Sequence, residues 1–250
     1  MLKIGIIDSG LPTTYQYSVL AARTFTEDNS FTEENSFTKA STNSSATTID
    51  QLGHGSAVTH IISHNLAADL VCAKVFHDKL TCTPSQIAEA IHWLISMEVN
   101  IINMSFGLRT DRAVLREACQ QALNHNIILV AAAPSQGDPV YPSNYTGIIK
   151  ATGDARCQPN EIAWLNDQQA DFGGFSGIPY QGPAGASIGC ASVTGAIAQL
   201  KCQYPHYKQE QIIEALIKQS RYQCTQSQSK MQYQNKNQKL RKTTRRCHEQ

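Results

Sequence analysis

The apolar positions fall into two alternating kinds of block. Short, mostly apolar runs, Leu2–Ile7, Leu70–Phe76, Asn100–Gly107, Ile127–Ala133 and Gly147–Thr152, are closed by turn-forming or polar residues. Runs of this length without polar alternation predict strands buried on both faces. Between them, apolar residues recur at helical spacing. Ile87, Ala90, Ile91, Leu94 and Ile95 mark one helix, and Val114, Leu115, Ala118 and Ala122 another over 111–124. Thr83 with Pro84 and Gln86 predicts a capping box and a first-turn proline at the start of the former. Further helices are expected over 56–64, from Ser187 to about Cys202, and from Gln209 to Gln219. Strands alternating with helices predict a three-layer α/β fold: a mostly parallel central sheet with helices on both faces. In such sheets functional groups collect at the carboxyl ends of the strands, where Asp8, Ser105 and the loop after Ala133 would lie.

Two segments break the pattern. Residues 24–49 contain a six-residue polar repeat headed by Phe25, Phe31 and Phe37, too short and too polar for a solenoid. It reads as a low-complexity surface insertion. Residues 221–250 are Gln-rich and carry eight Lys/Arg against the single acid Glu249, a segment charge of +7, while the first 220 residues sum to −6. With so few apolar residues the segment is expected to be a disordered basic tail. The expected organisation is a domain over 1–220 followed by this tail.

Composition and charge exclude more than they select. The 250 residues, 41% hydrophobic and 16% charged, are those of a globular chain large enough to bury a full core. A formal charge of +1 gives no reason to expect a nucleic-acid partner, and no apolar run is long enough to span a bilayer. The eight cysteines form no C-x-x-C pair, several lie in apolar segments, and reduced thiols are expected. Met1 leads directly into the first strand, with no room for a signal peptide, so a cytoplasmic location is expected.

Candidate chemistry sits at three places. Asp8 ends the first strand in Ile6-Ile7-Asp8-Ser9-Gly10. His54 lies between glycines in Gly53-His54-Gly55-Ser56. Ser187 follows Gly185-Ala186 at a helix start. A serine hydroxyl is a poor nucleophile until an imidazole takes its proton, and a buried carboxylate fixes that imidazole's tautomer. A helix N-terminus also supplies N–H groups for an oxyanion. Each segment alone is ordinary: a turn-forming Asp, a structural His, a capping Ser. The order Asp, His, Ser is that of the subtilisin triad.

With these residues in hand the chain resembles the subtilisin-like serine proteases, the subtilases, from about residue 3 to residue 204. Asp50 joins the histidine motif in this resemblance. Asn103-Met104-Ser105-Phe106-Gly107 is similar to the family's substrate-pairing strand, which makes Ser105, Phe106 and Gly107 candidate substrate-binding residues. Tyr141-Pro142-Ser143 and Gly147–Gly153 resemble the segment after the oxyanion loop, and Gly185–Ala196 resembles the serine motif and its helix. The resemblance implies Asp8, His54 and Ser187 as catalytic residues. Departures accompany it. Pro134-Ser135 stands where the family has Gly-Asn, leaving Ser135 as the candidate side-chain oxyanion donor. Ala57 replaces a second histidine, and the proline expected near Cys190-Ala191-Ser192 is missing. No acidic cluster suggests calcium, and no metal or cofactor is expected.

The implied function is a processing serine endopeptidase acting on one dedicated peptide or protein precursor. Phe106–Ala118 and Ala151–Cys157 most resemble the subgroup that removes the leader from the thioether-crosslinked small subunit of quinohemoprotein amine dehydrogenase. That subgroup would add a peptide-modifying radical enzyme as partner. The alternative is a pseudoprotease that binds peptide without cutting it. A nucleotide-binding reading of Gly5–Gly10 lacks the required G-x-G-x-x-G. His60 and His64 are spaced i,i+4, but no acid follows as in a H-E-x-x-H site, and both are expected to be ordinary helix residues.

Overall fold

The structure, a computed structural model, describes residues 1–26, the backbone of 32–34, and residues 47–177 and 182–223. Among these, nine strands form one sheet and five helices cover it. The strands are β1 (Lys3–Asp8), β2 (Ser18–Thr24), β3 (Thr32–Glu34), β4 (Asp69–Lys74), β5 (Ile101–Met104), β6 (Ile128–Ala132), β7 (Ile149–Asp154), β8 (Ile162–Trp164) and β9 (Phe172–Phe175). The helices are α1 (His54–Ser63), α2 (Pro84–Ser96), α3 (Ala113–Asn124), α4 (Ala186–Gln203) and α5 (Gln209–Gln219). Strand order is β3-β2-β4-β1-β5-β6-β7-β9-β8. Every pairing is parallel except β2 with β3 and β8 with β9, at the two edges.

The predicted three-layer α/β architecture is therefore present. Ile4, Ile6, Val130 and Phe172 face Val58, Ile62, Ile197 and Leu216 of α1, α4 and α5 on one side. Ile7, Val71, Ile102 and Leu129 face Ile91, Leu94, Leu115 and Ala118 of α2 and α3 on the other. Helix α2 starts as expected: Gln86 N–H donates to Thr83 Oγ1 at 3.3 Å, and Thr83 N–H donates to Gln86 Oε1 at 2.7 Å. β1 lies between β4 and β5, so the chain crosses it in passing from one to the other. That reversal opens a crevice at the carboxyl end of β1, where Asp8 sits.

Several expectations change. Val114 is exposed, because the buried stripe of α3 runs through Leu115, Ala118, Cys119 and Ala122. The strand predicted over Asn100–Gly107 ends at Met104, leaving Ser105–Gly107 extended beyond the sheet. Parts of the 24–49 insertion join the core and the sheet. Phe25 is fully buried against Trp93, with ring centroids 5.8 Å apart, and the backbone of 32–34 forms the edge strand β3. The rest of that repeat lies outside the described residues. Residues 221–223 are described as well, and Tyr222 packs on the domain. Trp164 N–H donates to the Tyr222 carbonyl at 2.7 Å, and the Arg156 guanidinium lies 4.9 Å over the Tyr222 ring. Residues 224–250, with Cys224 and Cys247, lie outside the described residues. The six described cysteines are unpaired. None of the described helices is long and apolar enough to cross a membrane.

Candidate active site

The first half of the site is built where β1 ends against the start of α1. Asp8 is fully buried, and its Oδ1 lies 2.7 Å from His54 Nδ1. The same oxygen accepts the Ser9 N–H at 2.8 Å. Asp8 Oδ2 has no hydrogen-bond partner among the described residues. His54 is the first residue of α1, and Gly53 precedes it with φ +75°, a left-handed conformation that glycine adopts at little cost.

No side chain of Gly53 can cap α1, and Asp50 does so instead. Its carboxylate accepts the N–H groups of Leu52 and Gly53 at 2.9 Å and of Ser56 at 2.7 Å. A negative charge at a helix N-terminus also complements the helix dipole. Ser9 joins the two acids. Its hydroxyl lies 2.8 Å from Asp50 Oδ1 and 3.2 Å from Asp8 Oδ1, so its single proton goes to the nearer Asp50. In return Ser9 Oγ accepts the Gly55 N–H at 2.8 Å. A side chain at Gly55 would collide with the Gly10 carbonyl, so only glycine lets α1 approach β1 this closely.

This environment sets the charge states. Burial alone would lower the His54 pKa. The hydrogen bond to Asp8 and the charges of Asp8 and Asp50 outweigh it, and the net shift is upward from 6.5. For Asp50, burial pushes upward, but hydrogen bonds from Ser56, Ser9 and Leu52 prevail and hold the carboxyl below its ordinary range.

The second half joins β5 to α4. Ser187 is the second residue of α4, and Gly185 holds the cap position with φ +90°. Gly189 lets α4 lie directly on the Thr152 carbonyl of β7. Ser187 Oγ donates to the Ser105 carbonyl at 2.9 Å, and Ser105 Oγ donates back to the Ser187 carbonyl at 3.1 Å. Behind them, buried Asn103 donates to Ser105 Oγ at 3.0 Å and accepts from Thr194 Oγ1 at 2.9 Å and the Cys190 thiol at 3.4 Å. Burial pushes the Cys190 thiol up to about 12, which fits a packed residue and not a second nucleophile.

The structure thus joins Asp8 to His54, and Ser187 to Ser105. Among the described residues no hydrogen bond links Ser187 Oγ to His54; the hydroxyl must turn away from the Ser105 carbonyl to meet the imidazole. Ser135 is exposed on the bend after β6, and its side chain makes no hydrogen bond among the described residues. The backbone groups of Phe106 and Gly107 also have no described hydrogen-bond partner. Leu108 pairs with Tyr141 through two bonds of 2.7 and 2.8 Å. Gly107 itself packs against Val140: a Cβ there would stand 2.5 Å from Val140 Cγ2. Asn103, Ser9 and the capping role of Asp50 escaped the sequence reading, although all three lie within the motifs quoted for it. Among the described residues no group of three or more His, Cys, Asp or Glu side chains converges on a metal position.

The segments that carry Asp8, His54 and Ser187 all fall within one family match. The subtilase family model covers residues 1–242. The chain belongs to the subtilase family. Subtilisin DY of Bacillus licheniformis is 23% identical over 227 residues, covering 84% of this chain and 80% of its own. The thermostable alkaline protease of Halalkalibacterium halodurans is 27% identical over 202 residues, 69% of this chain but 54% of the relative. The chain therefore spans little more than half the length of that relative. The major intracellular serine protease of Bacillus subtilis is 23% identical, covering 86% of this chain and 73% of its own. Among solved structures, Sphericase superposes with a TM-score of 0.61 at 20% identity, over 86% of this subtilase and 81% of that chain. That likeness speaks for the fold, in agreement with the sheet order and layers described above.

Proposed function

We propose that this subtilase is a serine endopeptidase acting on one dedicated precursor, from which it removes a leader. The observation that carries the reading is the 2.7 Å contact between buried Asp8 and His54, with Ser187 held at the start of α4. In the proposed reaction Asp8 fixes the His54 tautomer with Nδ1 protonated. Nε2 then takes the Ser187 proton as Oγ attacks the scissile carbonyl, and later delivers it to the leaving amine. The Ser187 N–H and the Ser135 hydroxyl are the proposed oxyanion donors, Ser135 in place of the larger Asn. Substrate would add as a strand along Ser105–Gly107, whose free backbone groups at Phe106 and Gly107 suit β-augmentation.

Two features of the site bear on selectivity. The donor loop carries Pro134-Ser135, whose hydroxyl reaches less far than the amide of an Asn; for scale, losing such a donor altogether costs ~10²–10³ in rate, a figure that comes from a subtilisin. Val140 packs so closely on Gly107 that no side chain fits at that position, which holds in place the backbone that substrate would pair with. The segments 106–118 and 151–157 favour, as substrate, the crosslinked small subunit of quinohemoprotein amine dehydrogenase. They also favour the radical enzyme that modifies it as a partner, and a cytoplasmic location. The pseudoprotease reading draws on Ser187 Oγ facing Ser105 and not His54.

Mass spectrometry of leader-bearing precursor incubated with wild type and with Ser187→Ala separates these readings. A single cut by wild type alone supports the protease. Binding without cleavage by either form supports the peptide carrier and overturns the protease.

A further inference from the structure

We infer that His60 and His64 form a surface site for one late divalent transition-metal ion, such as Ni²⁺, Cu²⁺ or Zn²⁺, on the back of the helix that presents the catalytic base. His60 lies in the last turn of α1 and His64 is its C-terminal cap residue. Both are exposed, and neither ring makes a hydrogen bond among the described residues. Their centroids stand 6.2 Å apart with planes at 52°. Two imidazoles on one ion, with metal–nitrogen bonds of about 2.0–2.1 Å, place their centroids roughly 5 Å apart at a tetrahedral angle. A small side-chain rotation at each residue closes that difference. Residues four apart on a helix already share a face, so little backbone entropy is lost on chelation.

The surroundings leave room for the ion's remaining ligands. The two rings form a ridge between two depressions. On one side is a cavity of about 230 Å³, whose wall includes Asn160, Ser192 and Gln199. On the other is a broader groove bordered by Ser56, Ser63 and Asn65. Among the described residues, neither wall brings a third His, Cys, Asp or Glu to the pair. The protein therefore supplies two nitrogens, with water or neighbouring amide and hydroxyl oxygens filling the other positions. A two-imidazole set suits Ni²⁺, Cu²⁺ and Zn²⁺ over Mg²⁺ or Ca²⁺, which take oxygen ligands. An ion held by both side chains binds only while the last turn of α1 is formed, so it stabilises the folded chain by mass action. It need not touch the reaction: His54 lies six residues earlier, with Nδ1 already engaged by Asp8.

The test is a NiCl₂ titration of the full chain followed by thermal unfolding, combined with mass-spectrometric mapping of histidine acylation by diethyl pyrocarbonate. Wild type is expected to melt at higher temperature as Ni²⁺ rises, with His60 and His64 protected from acylation. His64→Gln is expected to lose that protection at His60, and to need at least about tenfold more Ni²⁺ for an equal shift. His92→Gln, altering an exposed histidine of α2, should behave as wild type. An equal Ni²⁺-dependent shift in His64→Gln overturns the proposal, as does wild type with neither shift nor protection. If His64→Gln fails to fold, the same comparison made with His60→Gln decides it.

Discussion

The two halves of the active site are built differently. Around Asp8 and His54, short hydrogen bonds lock every element in place: Ser9 joins two acids, Asp50 caps α1, and Gly55 lets α1 touch β1. Around Ser187, the hydroxyl donates to the Ser105 carbonyl, and Ser135 after β6 is exposed. In the proposed mechanism the base is therefore preorganised, whereas the nucleophile and the second oxyanion donor await substrate. This difference teaches where selectivity can reside. A strand laid along Ser105–Gly107 arrives next to the very carbonyl that holds Ser187 Oγ, so productive binding and release of the nucleophile are coupled.

The largest effects should come from the triad itself. Ser187→Ala is expected to lower kcat/KM by roughly 10⁴–10⁶, and Asp8→Asn by about 10⁴, measured with the processed precursor. Loss from Asp8→Asn much smaller than this would mean that the base half is not set by Asp8. Next comes the oxyanion loop: Ser135→Asn, which lengthens the proposed donor, should raise kcat by about 10-fold, within the ~10²–10³ that a complete donor contributes. An unchanged kcat would place the donor elsewhere and remove the proposed asymmetry. Gly55→Ala forces β1 and α1 apart and should cost about 1–3 kcal/mol in chemical denaturation, with a loss of rate exceeding the loss of stability.

The smallest effect is on pH dependence, where the sign is fixed by the geometry. His54 acts as a base only when neutral, and its pKa is raised from 6.5 by Asp8 and Asp50 against the opposing effect of burial. The acidic limb of kcat/KM should therefore lie above the ordinary histidine value. Asp50→Asn removes one of the two charges and should move that limb to lower pH. The same variant turns an amide toward the N–H groups it must cap, which should cost ~1–3 kcal/mol of stability.

Much of this was legible in the sequence where local rules decide. The capping box at Thr83 and the span of α5 follow from short-range spacing. What escaped depends on partners far along the chain. β8 and β9 carry little apolar alternation, and their pairing is created by β7 and by the Tyr222 bridge. Phe25 heads a polar repeat, so its place in the core follows only from Trp93 beyond the insertion. Val114 and Leu115 are adjacent apolar residues, and only the packing of α3 on α2 chooses Leu115. Asn103 and Thr194 are 91 residues apart, and no spacing rule couples them.

The central claim is a poised base serving a nucleophile that substrate must release. The most direct measurement is the rate of Ser187 labelling by a peptidyl fluorophosphonate as a function of pH, beside a small non-peptidyl fluorophosphonate. The account predicts labelling at Ser187 that rises with pH through a pKa above 6.5, vanishes in His54→Ala, and is much faster with the peptidyl probe. No labelling at any pH, or labelling that survives His54→Ala with an unchanged rate, would contradict it.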